Sequence, residues 1–190
     1  MVYTQMHFPP IRQLNQLQYG DHILLIYPNL DSIREIYSHY CRTALENDEL
    51  VLLLTYYETA DSVRQTLKET GIDVEKYEME RSLMIIEDIT RIYFGSGDDF
   101  FFVLNLLSDR IEKWGKNGIS VFADMGVFYH FNNKGALVRF ENSLPAKFEI
   151  KLKRFCSYHI NDYDKLEERE WHDLLEHHYL RVIVPSDPGK

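Results

Sequence analysis

HILLIY, at residues 22–27, is the stretch that decides the fold class, and Pro28 and Asn29 follow it at once. Its side chains are almost all apolar and do not alternate with polar ones, which is typical of a strand buried on both faces. Asp31 or Ser32 is placed to cap a helix after the break, and Glu35 would complete a capping box with Ser32. The stretch therefore predicts a buried strand that runs directly into a helix.

The same order of strand and helix repeats along the chain. Further strands are predicted at residues 50–56, 83–86, 119–124, 155–158 and 182–184, and further helices at 59–71, 99–116, 134–143 and 167–178. Connections of this length join parallel strands, and they place helices on both faces of the sheet. We therefore predict an α/β fold, a three-layer α/β/α sandwich with a mostly parallel sheet.

Length and composition predict one domain over residues 1–190, with 1–20 as a lead-in, 185–190 as a flexible tail and no attached output domain. The formal net charge of −9 argues against direct binding of nucleic acid or an anionic membrane. Apolar runs are shorter than the roughly 18 residues that a membrane span needs. Cys41 and Cys156 are expected to be buried free thiols. We expect a cytoplasmic protein.

The loop after the first strand argues against ordinary ATP binding. A phosphate-binding loop reads G-x-x-x-x-G-K-[ST], in which glycine N–H groups and a lysine contact the phosphates. Residues 27–32 read YPNLDS instead, without glycine or lysine. Pro28 lacks an N–H group, and Asp31 would repel a phosphate.

Ligands of open α/β sheets bind outside the carboxyl ends of the strands. Aromatic and acidic residues dominate at those ends here, and they would suit a small ligand with apolar and polar parts. An ordinary aromatic core and a structural histidine explain the same residues. The ligand-binding candidates are His22, Tyr27, Tyr56, Glu58, Asp124, Met125, Tyr158 and His159.

His172 and Glu176 are the weak candidates for a metal site. They stand four residues apart in a predicted helix and can share one of its faces. An exposed polar helix face explains them equally well. We predict no metal, no cofactor and no catalytic residues.

Residues 52–87 resemble the corresponding part of KaiC-like ATPases of the RecA fold. There an apolar strand ends in two glutamates; Glu58 stands at the second position, and Tyr57 replaces the first. Residues 119–124 resemble a Walker B strand, in which Asp124 would be the metal-linked carboxylate. The resemblance implies a RecA/KaiC-like sheet, here without a functional phosphate loop. It leaves open a divergent nucleotide hydrolase that uses Glu58 and Asp124.

A resemblance to the MEDS sensory domains of methanogens and methylotrophs covers nearly the whole chain. The matching pieces are Gly20-Asp21-His22-Ile23, Gly71-Ile72-Asp73-Val74, Phe122-Ala123-Asp124-Met125, Phe140-Glu141, Cys156-Ser157-Tyr158 and Val182-Ile183. The chain departs from the family pattern at Val127 and at His178-Tyr179. The resemblance implies a sensor of a small organic or hydrocarbon-like molecule that passes its signal to a separate output module. Together with the degenerate phosphate loop and the aromatic and acidic strand ends, it leads us to expect a non-enzymatic domain that signals through partner proteins.

Three phenylalanines, at residues 100–102, open a predicted helix and exceed what one core-facing stripe can bury. They favour a homo-oligomer, although packing over a bend is an alternative. A third functional hypothesis is a protein-interaction scaffold without a ligand.

Overall fold

A computed structural model of the chain describes residue 11 and residues 14–87, 89–94 and 97–185. Within these residues, six strands form one sheet: β1 His22–Tyr27, β2 Leu50–Leu54, β3 Leu83–Ile86, β4 Ile119–Asp124, β5 Leu152–His159 and β6 Leu180–Ile183. All neighbouring strands are parallel, and their order is β3-β2-β4-β5-β1-β6. The predicted α/β class and parallel sheet are confirmed.

The helices of the described residues cover both faces of this sheet. They are α1 Leu30–Glu46, α2 Ala60–Glu69, α3 Val74–Met79, α4 Thr90–Phe94, α5 Gly97–Ile111, α6 Gly126–His130, α7 Lys134–Ser143, α8 Ile160–Tyr163 and α9 Glu168–Glu176. Helices α1 to α3 connect strands towards the β3 edge and pack on one face, and α4 to α9 return the chain across the other. This division follows from the right-handedness of the crossover connections. Connections that run towards the β3 edge cover one face of the sheet, and connections that run the opposite way cover the other face.

β1 shows why the sheet needs a layer of helices on each face. All of its residues are buried: Leu25 belongs to the core cluster under α1, and Leu24 to the cluster on the opposite face. Each fully buried side chain of this kind contributes about 1.5–3 kcal/mol to stability. Cys41 and Cys156 are also buried and form no disulfide, as predicted.

The cap of α1 differs from the prediction. Asn29 is the N-cap, and its Oδ1 accepts the Ser32 N–H at 2.9 Å. Asp31 and Ser32 lie inside the helix, because only Pro28 and Asn29 separate it from β1. The extended backbone of Asn29 brings its short side chain over the first turn.

Several predicted boundaries also move. β2 ends at Leu54 instead of residue 56, because the backbone of Tyr56 and Tyr57 turns to bond a carboxylate on β4. α5 ends at Ile111, where Gly115 adopts a φ of +67° and the Lys116 N–H bonds the Ile111 carbonyl. The short helices α3, α4, α6 and α8 have no counterpart in the prediction.

Some expectations fall outside the described residues. These include most of the lead-in at 1–20, residues 186–190 of the predicted tail, and the side chains of Phe100 and Phe101. Phe102 is described and is 68 % exposed on α5. In the described part of the chain, no helix has the length and apolar character to cross a membrane.

Replacing Asn29 by alanine tests the cap. Asn29→Ala removes the acceptor of the Ser32 N–H, and we expect it to lower the free energy of unfolding by about 1 kcal/mol. Ser32→Ala is the matched control: it removes only the hydroxyl, which donates to Asn29 Oδ1 at 3.0 Å, and leaves the backbone N–H bond to the cap, so it should cost only a few tenths of that amount. Urea denaturation of both variants measures the difference. If Ser32→Ala lowered the free energy of unfolding more than Asn29→Ala does, the cap would lie at Ser32, as expected from the sequence, and not at Asn29.

Candidate functional site

Asp124, at the carboxyl end of β4, is the centre of the candidate site. Its Oδ2 accepts the backbone N–H groups of Tyr57 at 2.8 Å and Tyr56 at 3.2 Å, and its Oδ1 accepts that of Gly126 at 2.8 Å. The carboxylate thereby joins the loop after β2 to the start of α6. Parallel pairing also sets Asp124 beside Ser157 of β5.

Burial raises the pKa of Asp124 to about 6, although part of the residue reaches solvent. The loss of hydration is the largest cause, and the nearby charge of Asp162 adds to it. The N–H groups of Tyr57, Gly126 and Tyr56 oppose this shift, because they stabilise the ionised form.

Tyr57 is part of the wall of the site, and its ring rests against Gly126. A Cβ on Gly126 would lie 2.3 Å from Cε2 of the Tyr57 ring, so glycine is required where the ring rests. The Tyr57 hydroxyl donates a hydrogen bond to Asp162 of α8, which also pairs with Lys165 at 2.6 Å. Burial and then this hydrogen bond raise the pKa of Tyr57, so its hydroxyl remains a donor at neutral pH.

Behind Tyr57 lies a cavity of about 30 Å³. Its lining is mostly apolar and comes from α1, α2 and the ends of β1, β2, β4 and β5. The lining residues are Tyr27, Leu30, Ile33, Tyr37, Leu53, Leu54, Thr55, Tyr57, Glu58, Val63, Phe122, Asp124 and Ser157. The space is comparable to the volume of one water molecule in the liquid, so an organic ligand requires a side chain to move.

Glu58 lines this cavity, but its carboxylate is already paired. Arg34 of α1 contacts Oε1 through Nε at 2.9 Å and through Nη2 at 2.7 Å. Ser62 donates to the same oxygen at 2.9 Å, and Tyr37 donates to Oε2 at 3.3 Å. These contacts attach α1 and α2 to the loop after β2, which is a structural role.

A larger groove of about 710 Å³ lies near the amino ends of β2, β4 and β5. It is open and lined mainly by polar residues, and a buried ion pair between Lys153 and Glu49, at 2.7 Å, lies at its base. Both charges are satisfied by each other, and Tyr19 also donates to Glu49 at 3.1 Å. We therefore place the candidate ligand site at the Tyr57 cavity.

The structure places some of the ligand-binding candidates predicted from the sequence at the cavity and others away from it. Tyr27, Glu58 and Asp124 line the cavity, and the His159 ring meets Tyr27 edge-on at 5.4 Å. Tyr56 does not line the cavity; it packs against His130 and the core cluster on the opposite face of the sheet. The other candidates, His22, Met125 and Tyr158, lie away from the cavity.

Met125 and Tyr158 are fully buried in the core on the opposite face of the sheet. His22 lies at the amino end of β1, far along the strand from the cleft. His172 is exposed, stacks on Trp171 and bonds the Glu168 carbonyl at 2.8 Å, and Glu176 is exposed near it.

Four buried side chains form a second cluster, which we call the His-Cys-Glu cluster: His22 of β1, Glu141 of α7, Cys156 of β5 and His178 after α9. Among the described residues, this is the group of histidine, cysteine and acidic side chains close enough to hold one metal ion. His172 and Glu176 do not belong to it. Tyr158 supports the cluster by donating to Glu141 Oε1 at 2.6 Å.

Sequence reasoning missed Asp162 and the association of Glu141 and His178 with His22 and Cys156. The sequence did contain a signal for the cluster. His22, Glu141 and Cys156 lie in segments that match the MEDS pattern, and His178 lies where the chain departs from it. Nothing in their spacing shows that these segments meet.

The architecture is that of KaiC-like proteins. A KaiC-like protein from the hyperthermophilic archaeon Pyrococcus horikoshii OT3 aligns with a TM-score of 0.55 and 16 % identity, over 83 % of this chain and 70 % of that one. Another structure from the same organism aligns with a TM-score of 0.60 and 11 % identity, over 94 % of this chain and 89 % of that one. At such identities the likeness shows the fold alone.

The family is shown by the sequence itself. Residues 21–179 match the MEDS family, the methanogen/methylotroph, DcmR sensory domain, and the chain belongs to it. Both resemblances seen in the sequence are therefore confirmed, and a sensory role follows at the level of the family. No curated protein matches the chain.

The raised pKa of Asp124 predicts a pH-dependent contribution to stability. An unfolded aspartate loses its proton near pH 4, whereas the folded one keeps it until about pH 6. The proton therefore stabilises the fold fully below about pH 4, and this contribution is lost as the pH rises through 6. Because the residue is partly hydrated, we expect a loss of about 2 kcal/mol, less than a fully buried group would give.

Asp124→Asn isolates this contribution, because asparagine does not titrate and the other ionisable groups are unchanged. Urea denaturation from pH 4.5 to 7 should show the stability advantage of the wild type over Asp124→Asn shrinking as the pH rises. An advantage that stays constant or grows with pH would contradict the assignment.

Proposed function

We propose that this chain is a ligand-sensing domain that binds a small organic molecule in the cavity behind Tyr57. Its membership of a sensory family supports a signalling role. Its cavity supports the class of ligand: the walls are largely apolar, and Asp124 and the hydroxyl of Tyr27 provide polar groups at the strand ends.

The observation that carries this proposal is the position of Tyr57. The residue is 41 % exposed, it lines the cavity, and its hydroxyl bonds Asp162. Rotation of this side chain enlarges the cavity while the backbone N–H bond to Asp124 and the sheet stay intact. A ligand that takes the place of the ring is enclosed by the apolar walls.

Movement of Tyr57 also provides a signal. Its hydroxyl contacts Asp162 of α8, and α8 follows β5 and leads on to α9 and β6. Displacement of Tyr57 leaves Asp162 paired with Lys165 and removes a connection between the loop after β2 and α8. Ligand binding then favours one arrangement of α8, because the two states differ in this contact.

The signal passes, in this proposal, to a separate regulatory protein. Self-association belongs to the same proposal and is supported by the apolar surface of α5, where Phe102, Val103 and Leu106 are all exposed. Solvent exposure of such neighbouring apolar side chains is typical of contact surfaces.

Ligand binding without nucleotide hydrolysis is the activity we propose. The connection from β1 to α1 consists of Pro28 and Asn29, and the Asn29 side chain caps the helix end where a phosphate would bind. Glu58 is paired with Arg34 and is not positioned as a free base for water.

Calorimetric titration separates these functions. We expect Mg-ATP to give neither binding heat nor turnover, and a probe such as dichloromethane or 1-propanol to bind and shift backbone NMR signals at residues 55–58 and 160–165. Mg-ATP binding, with turnover abolished in Glu58→Gln, would replace the sensor by a nucleotide hydrolase. No response to any of the probes would favour an interaction scaffold.

Tyr57→Phe tests the closing residue itself. The ring remains, but the hydrogen bond to Asp162 is lost, so displacing the ring requires less free energy. We expect the apolar probe to bind about 3- to 10-fold more tightly, which corresponds to about 0.6–1.4 kcal/mol. Tyr179→Phe, which removes an exposed hydroxyl elsewhere, is the matched control and should leave the affinity unchanged. Equal affinities of Tyr57→Phe and the wild type would contradict the closing role.

A further inference from the structure

We propose that the His-Cys-Glu cluster is a binding site for a tetrahedrally coordinated transition-metal ion, with Zn²⁺ as the best-suited probe. The proposal concerns residues on the other side of the sheet from the Tyr57 cavity, and it does not depend on the proposed sensory ligand. It replaces the weak expectation of a metal at His172 and Glu176.

The separations of the four side chains fit tetrahedral coordination. Glu141 Oε2 lies 3.8 Å from His22 Nε2, 3.7 Å from Cys156 Sγ and 3.6 Å from His178 Nε2. His22 Nε2 lies 3.3 Å from Cys156 Sγ, and all four ligand atoms are within 4.8 Å of one another. Zinc bonds to nitrogen, oxygen and sulfur at about 2.0 to 2.3 Å give tetrahedron edges of about 3.4 to 3.6 Å. Four of the separations are within a few tenths of an ångström of these edges, and the remaining pairs, all within 4.8 Å, must close by up to about 1 Å for one ion to reach every atom.

Both histidines present an unprotonated nitrogen to this point. His22 Nδ1 is 3.1 Å from the Pro145 carbonyl oxygen, and His178 Nδ1 is 2.6 Å from that of Leu174. A carbonyl oxygen only accepts hydrogen bonds, so each Nδ1 carries the proton and each Nε2 has its lone pair directed into the cluster. Backbone carbonyls orient metal-bound histidines in this way.

His178 provides an independent indication of a missing partner. Its side chain is 1 % exposed, yet Nε2 has no hydrogen-bond partner, and Glu141 Oε2, at 3.6 Å, is beyond hydrogen-bond distance. A buried acceptor in this state is unfavourable. A metal ion at the centre of the cluster satisfies it.

The remaining contacts prepare the two acidic ligands. Tyr158 occupies Oε1 of Glu141, which leaves Oε2 to bind a metal through one oxygen. Burial raises the pKa of the Cys156 thiol well above its usual value, so a bound metal has to displace its proton; Arg154 Nε, which donates to Sγ at 3.3 Å, opposes this shift. The charges of a divalent ion, the thiolate and the carboxylate sum to zero, so the ion adds no net charge beyond that of Arg154 to the core.

The donor set selects the class of metal. One thiolate and two imidazoles favour Zn²⁺, Co²⁺ and similar ions over Mg²⁺ and Ca²⁺, which prefer oxygen ligands. Four protein ligands leave no open position for water, which is typical of a structural site. The ion would join β1, β5, α7 and the end of α9 in the interior.

Metal analysis of the full chain, purified without a histidine tag and incubated with ZnSO₄, tests the site. After removal of loose metal, we expect about one Zn²⁺ per chain and a melting temperature several degrees above that of the chelator-treated protein. Replacement by Co²⁺ should give the visible bands of a tetrahedral ion and a near-ultraviolet thiolate-to-cobalt band. The cobalt spectrum uses the unaltered chain, so it does not depend on a variant that folds.

Variants then locate the metal. Cys156→Ser should abolish the thiolate-to-cobalt band, and His178→Gln should lower zinc affinity at least tenfold. The matched controls are Cys41→Ser, a buried thiol on α1, and His172→Ala, an exposed imidazole on α9; both should bind as the wild type does. Failure of the unaltered chain to retain zinc and to give the cobalt bands would overturn the proposal. Wild-type zinc affinity in both Cys156→Ser and His178→Gln would overturn it as well.

Discussion

Burial of the parallel sheet on both faces is the constraint on which the rest of this structure depends. A strand such as β1, with every residue buried, needs a helix layer on each side, and right-handed crossovers supply those layers when the chain reverses direction. The reversal separates α1 to α3 from α4 to α9. It also brings the ends of β1, β2, β4 and β5 to one edge, where the loops can form a ligand site.

Polar groups at that edge are used mainly to hold loops together. Asp124 accepts three backbone N–H groups, and Glu58 binds Arg34, although both positions resemble the acidic residues of KaiC-like ATPases. The acidic character of the edge is thus compatible with a nearly closed, largely apolar cavity. Tyr57 stands where the resemblance places the first glutamate, and the exchange puts an aromatic ring in the lining of the cavity.

The opposite face of the sheet has a different chemistry. There the apolar core encloses the His-Cys-Glu cluster together with Arg154 and Tyr158, all buried. Charged and polar groups in such surroundings lower stability unless partners satisfy them. Most of these groups have identified partners, and the lone pair of His178 is directed into the centre of the cluster.

The sequence alone determined the fold class, most of the strands and the kind of residue at their carboxyl ends. It could do so because these features follow from local patterns, namely continuous apolar runs, turn residues and strand–helix order. It also placed Tyr27, Glu58 and Asp124 at a common edge. Tertiary structure decided what those residues do: Arg34 approaches Glu58 from a separate helix, and the N–H groups that Asp124 accepts shorten β2.

The Tyr57 cavity and the His-Cys-Glu cluster both show this difference between what the sequence and the tertiary structure determine. Tyr158 and Asp124 look equivalent in the sequence, since each lies near a strand end, but side chains alternate between faces and Tyr158 points away from the cleft. His22, Glu141, Cys156 and His178 are far apart along the chain, and only the folding of α7 and α9 onto β1 and β5 brings them together. Spacing along a sequence records contacts within one element, whereas both sites here are made by contacts between elements.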